Sequence, residues 1–568
     1  MRLIKIVLLF VTVLFSNEIL SQNSVSSEKT AALDSLFTQY KNRPGCAVGV
    51  FYKGTNVFSK GYGLANLGYD IPITTSTVFE AASVSKQFTA ACITLLEIEG
   101  KLQLKDPIQK YIPELPRFKG VTITVGNLVY QTSGLRDYLA LLYSKGISWN
   151  SNMNNIKALK MLLKQKGLNF KSGSQFAYSN TNYMLLSIIV ERVSGKSIGA
   201  FAKERFFAPL GMKHTFYYED SRKVIKNKAI GYEYDGKNSK REHYFNSTTT
   251  GDGGVYININ DFYKWNENLR TGKVGGRSFI NKMKVAGTLT DGTAIGYGRG
   301  QFVGDYYNIT GVPTLRHSGN WAGFRSVYCR FLSQDFTVVV LSNNASTNVW
   351  GLLDEIASLF IQEDITKARI NMSRTNTTNT TTKTVVIPRK ELEKFTGNYL
   401  NTINGELRTI IVKNDTLIYR RSNGRETKLV AIDKKKFMFL GAPHVVIEFD
   451  KSPLNSATLT IGNGSPIKFS KYTSEVLTRQ ELRQFEGFYT NDELEVVYEI
   501  RADKNVLKVL IEGNELVTLE PLTKNISRAD HFGYIQFTRN ENGVILGFSR
   551  HDDTITHIKF VKIEDTDK

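Results

Sequence analysis

The alternation of apolar and polar positions changes character along the chain, and each change marks a boundary. At the start, "MRLIKIVLLFVTVLFSNEILSQNS" sets an apolar run from Ile6 to Phe15 between a basic start (Arg2, Lys5) and the small Ser21. That is the layout of an export signal cleaved near Ser21, with an uncleaved membrane anchor the rival that its short apolar core disfavours, and no cysteine follows for a lipid. Beyond it, strand-like and helix-like periods mix. "CAVGVFYKGTNVFSKGYGLAN" reads as a hairpin turning at Lys53-Gly54, and "SKQFTAACITLLEIEGKLQL" as a long helix ending near Gly100. "FRSVYCRFLSQDFTVVVLSNN" reads as a second hairpin, followed by a helix over "NVWGLLDEIASLFIQE". Strands at both ends with helices between them predict an α+β domain whose terminal segments share one antiparallel sheet.

The helical period then stops. "RINMSRTNTTNTTTKTVVIPRK" carries a Ser, Thr and Asn run from Asn371 to Thr384 with almost nothing to bury, which reads as a linker. After it comes an internal repeat: "RKELEKFTGNYL" from Arg389 returns as "RQELRQFEGFYT" from Arg479 with Arg, Glu, Leu, Phe, Gly and Tyr in register. Short alternating strands follow each copy, so two tandem antiparallel, lipocalin-like β-barrels are expected. The predicted boundaries are a signal peptide over 1–21, an α+β domain over 22–368, a linker over 369–386, and barrels over 387–475 and 476–568.

Composition narrows the partners. The net charge of +20 comes from Lys and Arg scattered along the chain rather than gathered in a basic arm, which argues against nucleic acid. Three cysteines (Cys46, Cys92, Cys329) lie in apolar surroundings and read as small buried hydrophobes. No metal-ligand spacing and no phosphate-binding glycine loop is present, so no cofactor is expected. After the signal is removed no segment is apolar for long enough to span a bilayer, and a periplasmic or secreted location follows.

Candidate chemistry lies in three short motifs whose order matters more than any one alone. Ser-x-x-Lys is met by Ser83 and Lys86 in "FEAASVSKQFTA", but also by Ser26 and Lys29. Tyr-x-Asn is met by Tyr178 and Asn180 in "FAYSNTNYMLL", and equally by Tyr306 and Asn308. "RHSGNWAGFRS" supplies His317, Ser318, Gly319 and Asn320. A serine at a helix start exposes its hydroxyl, and a lysine one turn on shares its face. A lysine at its ordinary pKa of about 10.4 is no base at neutral pH, so it needs desolvation or nearby positive charge.

Together with "GYGLANLGYDIPIT", "TSGLRDY" and "GDGGVYININDFYKW", these motifs closely resemble the penicillin-recognising serine hydrolases of the class C β-lactamase, DD-carboxypeptidase and D-aminopeptidase type, over roughly Leu33 to Ile361. The resemblance implies a β-lactamase/transpeptidase-like fold, in which an antiparallel sheet flanked by helices meets an all-helical subdomain at the cleft. It makes Ser83 the nucleophile, with Lys86 and Tyr178 a coupled pair either of which takes its proton. Asn180 orients Lys86 and holds the substrate amide. His317, Ser318 and Gly319 form an edge strand facing Ser83, and Gly319 lets the substrate backbone approach. The N–H groups of Ser83 and Asn320 form the oxyanion hole. "YSNTNYMLL" also reads as a helix start capped by Ser179 or Asn180. Gln131, where the family often has histidine, reads as structural, and "GDGGVY" as a turn near the cleft.

His317 stands where many β-lactamases carry a lysine. An imidazole with pKa about 6.5 offers a substrate carboxylate no permanent charge. Efficient β-lactam hydrolysis is therefore less expected than DD-carboxypeptidase or D-amino-acid-specific peptidase activity through an acyl-enzyme. Carboxylesterase or weak β-lactamase activity on the same site is the alternative, and a penicillin- or envelope-binding protein of minor activity the alternative of another class. Expected partners are a small peptide, amide or ester substrate, with peptidoglycan a candidate.

Overall fold

The computed structural model describes residues 25–564 apart from 149–150, 235–239, 243–245, 307–310, 380–383, 402, 404, 423, 451–453, 462–465 and 531, so the expected signal peptide lies outside the described residues. The chain divides into two compact units. One comprises the residues up to Leu102 with Val190–Val285 and Gly298–Met372; the other comprises Gln103–Ile189, Ala286–Tyr297 and Ser373–Lys568.

In the first unit the main strands and helices are β1 (Cys46–Tyr52), β2 (Thr55–Tyr62), β3 (Phe79–Glu80), α1 (Lys86–Ile98), β4 (Val255–Ile257), β5 (Phe302–Asp305), β6 (Pro313–Trp321), β7 (Phe324–Phe331), β8 (Phe336–Ser342) and α2 (Val349–Asn379). Six of them form one sheet in the order β5-β6-β7-β8-β1-β2. The β1–β2 hairpin turns at Lys53 (φ +48°) and Gly54 (φ +78°), the two-residue left-handed turn that matches strand twist. β1 and β8 pair antiparallel from Cys46 opposite Ser342 to Tyr52 opposite Phe336, so the ends of the domain do share the sheet.

The sheet centre is covered on both faces, which is why "FTVVVLS" is a continuous apolar run rather than an alternation. Val48, Val50, Cys329 and Val338 pack with Leu33 and Phe37 ahead of β1 and with Leu353 and Ile356 of α2. The other face meets the helix Ile259–Thr271, where Phe262 stacks on Tyr328 at 5.9 Å and Tyr263 tilts against Phe51 at 5.3 Å. Cys46, Cys92 and Cys329 are free and fully buried.

α2 turns irregular at Ile361 (φ −129°) and then resumes, entering the run expected to be a linker and ending at Asn379. Its apolar stripe continues past the irregularity, with Ile365 and Ala368 still in the core.

In the second unit, Gly397–Tyr472 and Gly487–Ile563 each close into an eight-stranded antiparallel barrel. The repeat explains itself at the closure. Tyr399 Oη donates to the Phe395 carbonyl at 2.8 Å, and Tyr489 Oη does the same to Phe485 at 2.8 Å. Beside each ring runs a lysine stem from the closing strand: Lys471 over Tyr399 at 5.9 Å and Lys562 over Tyr489 at 5.6 Å. Gly397 (φ +144°) and Gly487 (φ +134°) take a backbone conformation that residues with a Cβ rarely adopt, and each lies against one of those lysine stems. The interiors are filled by aromatic rings, Phe395, Phe437 and Phe449 in the first and Phe485, Phe537 and Phe548 in the second.

The second barrel binds the helical segment of its own unit through two loops and two strand residues, Tyr498 and Arg550. Arg136, its side chain 2% exposed, donates to Glu493 Oε2 at 2.5 Å and to Gln165 Oε1 at 2.9 Å. The Asp137 N–H donates to the Thr554 carbonyl at 3.0 Å, and Asn169 Nδ2 donates to the same carbonyl at 2.8 Å. Tyr498 Oη donates to the Ser144 carbonyl, and Arg550 Nη1 to Ser144 Oγ, both at 2.6 Å. Removing Glu493 strands a buried guanidinium, whereas Glu495 pairs with an exposed Lys164. Glu493→Ala is expected to lower unfolding stability by about 3 kcal/mol in chemical denaturation, against less than about 1 kcal/mol for Glu495→Ala. Equal losses would show that the buried pair carries no special weight.

Candidate active site

The nucleophile turn sits where β3 hands over to α1. Ala82 takes a left-handed conformation (φ +49°), unusual for a residue with a Cβ and costing on the order of 1 kcal/mol, immediately before Ser83. Neighbouring strands hold this turn: the Ala81 N–H donates to the Val255 carbonyl at 2.8 Å, and Ser326 Oγ donates to the Ala81 carbonyl at 2.7 Å. Residues Ala82–Ser85 form one 3₁₀ turn and Lys86 opens α1. Ser83 is half-buried and Lys86 fully buried. Lys86 Nζ lies 3.2 Å from Ser83 Oγ and donates to the Asp252 carbonyl at 2.7 Å. The loop "GDGGV" thus reaches the chemistry through a backbone carbonyl. It is fixed to α1 by Thr89 Oγ1, which donates to the Gly251 carbonyl at 2.7 Å, and by the Val255 N–H, which donates to Ser85 Oγ at 3.1 Å.

β6 runs beside this turn. β5 pairs with β6 only as far as Arg316, so His317 to Trp321 form an edge on that side. Gly319 is required by the protein itself, because a Cβ there would lie 2.4 Å from the Ala81 carbonyl and 2.4 Å from Ser326 Oγ. Packing of the strand against the nucleophile turn thus calls for a glycine here, besides the expected room for a substrate backbone. Ser318 is half-buried, and Asn320 is exposed one residue before the Trp321–Phe324 turn. His317 is buried with its ring 5.5 Å from Phe302, and its Nδ1–H donates to the Ser318 carbonyl at 2.6 Å. Burial, reinforced by the Lys86 charge, pushes the imidazole down to about 3, so it is neutral throughout the working range. Unfolded, the same histidine takes up a proton below about pH 6.5, so its burial erodes stability as pH falls from there towards 3.

The Tyr178 motif belongs to the second unit. Tyr178 is half-buried, edge-on to Tyr297 with centroids 6.2 Å apart. Gln131 organises the segment: its Oε1 accepts from the Ser179 N–H at 3.0 Å and from Asn182 Nδ2, and its carbonyl accepts from the Ala177 N–H at 3.0 Å. The helix Asn180–Ser194 is capped from elsewhere, the Asn180 N–H donating to Asp137 Oδ2 at 2.5 Å. Among the described residues Ser179 Oγ has no hydrogen-bond partner, so Ser179 does not supply the cap, and "TSGLRDY" contributes an acceptor through Asp137. In the same unit a cavity of about 820 Å³ is lined by Asn180, Tyr143 and seven charged residues: Asp137, Glu406, Asp530, Asp552, Asp553, Arg528 and Arg550.

Sequence reasoning missed Asp252, Asp137 and Ser326. The first acts through a backbone carbonyl, which no residue type announces, and the others act through contacts distant in sequence.

The fold and the order of the three motifs define a protein of the β-lactamase type. The Beta-lactamase family model matches residues 33–359, more than half of the chain, and the chain belongs to that family. Among curated proteins it is 30% identical over 310 residues to penicillin-binding protein 4* of Bacillus subtilis, covering 51% of this chain and 66% of that one. It is 28% identical over 325 residues to the D-aminopeptidase of Gluconobacter oxydans, covering 57% and 60%. The chain thus spans less than two thirds of the length of these relatives. Among solved structures, the octameric penicillin-binding protein homologue from Pyrococcus abyssi superposes with a TM-score of 0.53 at 22% identity, covering 78% of this chain and 100% of that one. The D-amino acid amidase from Ochrobactrum anthropi SV3 gives 0.51 at 20% identity, covering 60% and 100%. These likenesses bear on the fold.

Two outcomes follow. Gly319→Ala should displace the nucleophile turn and slow acylation of Ser83 by a fluorophosphonate about 100-fold, with unchanged circular dichroism; near-normal labelling would remove Gly319 from this role. The rate profile should carry no ionisation of His317 between about pH 5 and 8; an inflection that vanishes in His317→Asn would contradict the burial argument.

Proposed function

We propose that the protein is an exported serine hydrolase that acts as a D-amino-acid-specific peptidase or amidase through an acyl-enzyme on Ser83. The observation that carries the reading is the buried Lys86 ammonium 3.2 Å from Ser83 Oγ, held in place by the Asp252 carbonyl. With Lys86 as the ammonium, Tyr178 as phenolate completes the pair: Ser83 attacks the amide carbonyl, the Tyr178 oxygen takes its proton, and the proton passes on to the departing amine. Water then releases the acyl group by the same route in reverse. Each properly placed N–H in the oxyanion hole, assigned to Ser83 and Asn320 by resemblance, contributes about 3 kcal/mol to the transition state. Asn180 holds the substrate amide, and the edge of β6 from His317 through Gly319 offers its backbone to an extended substrate.

Neutral His317 withholds the fixed positive charge that would favour a carboxylate next to the scissile bond. The acidic cavity bordered by Asn180 favours the opposite group. Five carboxylates line it (Asp137, Glu406, Asp530, Asp552, Asp553), against three guanidiniums that pair with them, Arg408 with Glu406, Arg528 with Asp530 and Arg550 with Asp552, and the acidic excess suits a substrate with a free α-ammonium in a chain whose overall charge is +20. The relatives named D-aminopeptidase agree with that preference. A signal-like N-terminus supports export, and peptidoglycan fragments are the natural source of D-residue peptides in the envelope.

A panel of D-alanine p-nitroanilide, its N-acetyl derivative, a D-Ala-D-Ala peptide, a short ester and a fluorescent penicillin tests this. Fastest turnover of the free-amine anilide, abolished in Ser83→Ala, is expected. Asp553→Asn should raise KM about tenfold for the free amine and leave the acetylated substrate unchanged, the loss of one partly screened charge contact. Preference for the D-Ala-D-Ala peptide or the penicillin, or labelling that persists in Ser83→Ala, would overturn the assignment.

A further inference from the structure

Three residues before the nucleophile, Glu80 is a buried carboxyl that the mechanism above does not use. It stands on β3, paired with Tyr256 of β4. Tyr256 Oη donates to Glu80 Oε2 at 3.4 Å. A Cβ built on Gly253 would lie 4.0 Å from both Glu80 Oε1 and the Ala82 carbonyl, so the carboxyl borders the glycine loop. The same loop presents the Asp252 carbonyl to Lys86. The charged and titratable groups facing Glu80 are Lys228, next to the Val78 bridge, Asp252 in the loop, Tyr256 on β4, and Tyr218 beyond it. Lys228 also lies 5.4 Å over the Tyr256 ring.

We propose that Glu80 is a positioning residue for the Ser83–Lys86 pair: protonated, it leaves the Gly251–Gly254 loop free to hold the Asp252 carbonyl on Lys86, and ionised, it draws the Gly254 N–H and Lys228 towards itself and loosens that hold. The inference rests on the hydrolase reading. Burial pushes the carboxyl up to about 7, against opposing pulls from Lys228, Tyr256 and the Gly254 N–H and with the help of Asp252. The change of state therefore falls at neutral pH. The sign for stability is fixed: the native carboxyl keeps its proton where the unfolded chain has released it, so stability falls as pH rises from about 4.5 to about 7.

Glu80→Gln keeps the shape and removes the titration. Compared with it, the wild type should lose melting temperature progressively between about pH 4.5 and 7, and its kcat should show an inflection near pH 7 that the variant lacks, with KM within about twofold. The Lys86 ¹⁵Nζ resonance, identified by its absence in Lys86→Ala, should shift across the same window in the wild type and stay flat in Glu80→Gln. A variant whose kcat profile runs parallel to the wild type at any level, or a resonance that moves alike in both, overturns the inference. Because melting and resonance are read without substrate, they decide the matter even if no substrate is turned over, in which case only the hydrolase reading fails.

Discussion

The site depends on keeping a lysine ammonium out of water. Burying an unpaired charge costs several kcal/mol, and Lys86 is fully buried, so its surroundings have to be arranged around Nζ. Ser83 Oγ and the Asp252 carbonyl are two of the groups that meet it. The second comes from a glycine-rich loop in which Gly251 (φ +103°) and Gly254 (φ +80°) take backbone conformations that residues with a Cβ rarely adopt. From this requirement follow the bonds of Thr89 and Ser85 to the loop, the left-handed Ala82, and the missing Cβ at Gly319. The buried lysine also acts outward, since its charge helps keep His317 neutral.

The two halves of the motif set are supported differently. Around Ser83 the support is backbone pairing of short strands, which fixes position to a fraction of an ångström but leaves few recognisable side chains. Around Tyr178 it is a set of amides and hydroxyls: Gln131 bonds Ser179 and Asn182, Ser133 bonds Asn182, and Thr181 bonds Arg136. Arg136 and Asp137 connect that set to the second barrel. The barrel is therefore tied to the segment that starts the Asn180 helix by bonds to adjacent residues.

Much of the fold was legible in the sequence, because hairpin turns, apolar runs and an in-register repeat are local signals. Lys53-Gly54 turns where its composition says it should, and Gly100 follows the end of α1 in the left-handed conformation of a helix stop. The end of α2 was not legible: Ile365 and Ala368 prolong a buried stripe that the neighbouring Ser, Thr and Asn residues disguise. The motif residues could be found only by order and context, and one reason for Gly319 was not legible, since the Ala81 carbonyl and Ser326 Oγ that leave no room for a Cβ are distant from it in sequence or brought there by pairing of strands. The cap of the Asn180 helix was out of reach for a physical reason, as its acceptor lies forty-three residues earlier in the chain.

The two barrels share one closing device, a tyrosine bonded to a turn carbonyl with a lysine laid across its ring, and differ in the loops that device leaves free. In the second copy the loop after the first strand, Asp492 to Glu495, grips the helical segment; in the first copy the corresponding stretch carries Glu406 at the edge of the acidic cavity. A duplicated module of this kind separates the inheritance of a scaffold from the invention of a contact. Mutations that would ruin closure fall on a handful of residues, and the remaining loop positions are free to vary, so one copy can become indispensable to the enzyme while its twin explores new surfaces at little risk to folding.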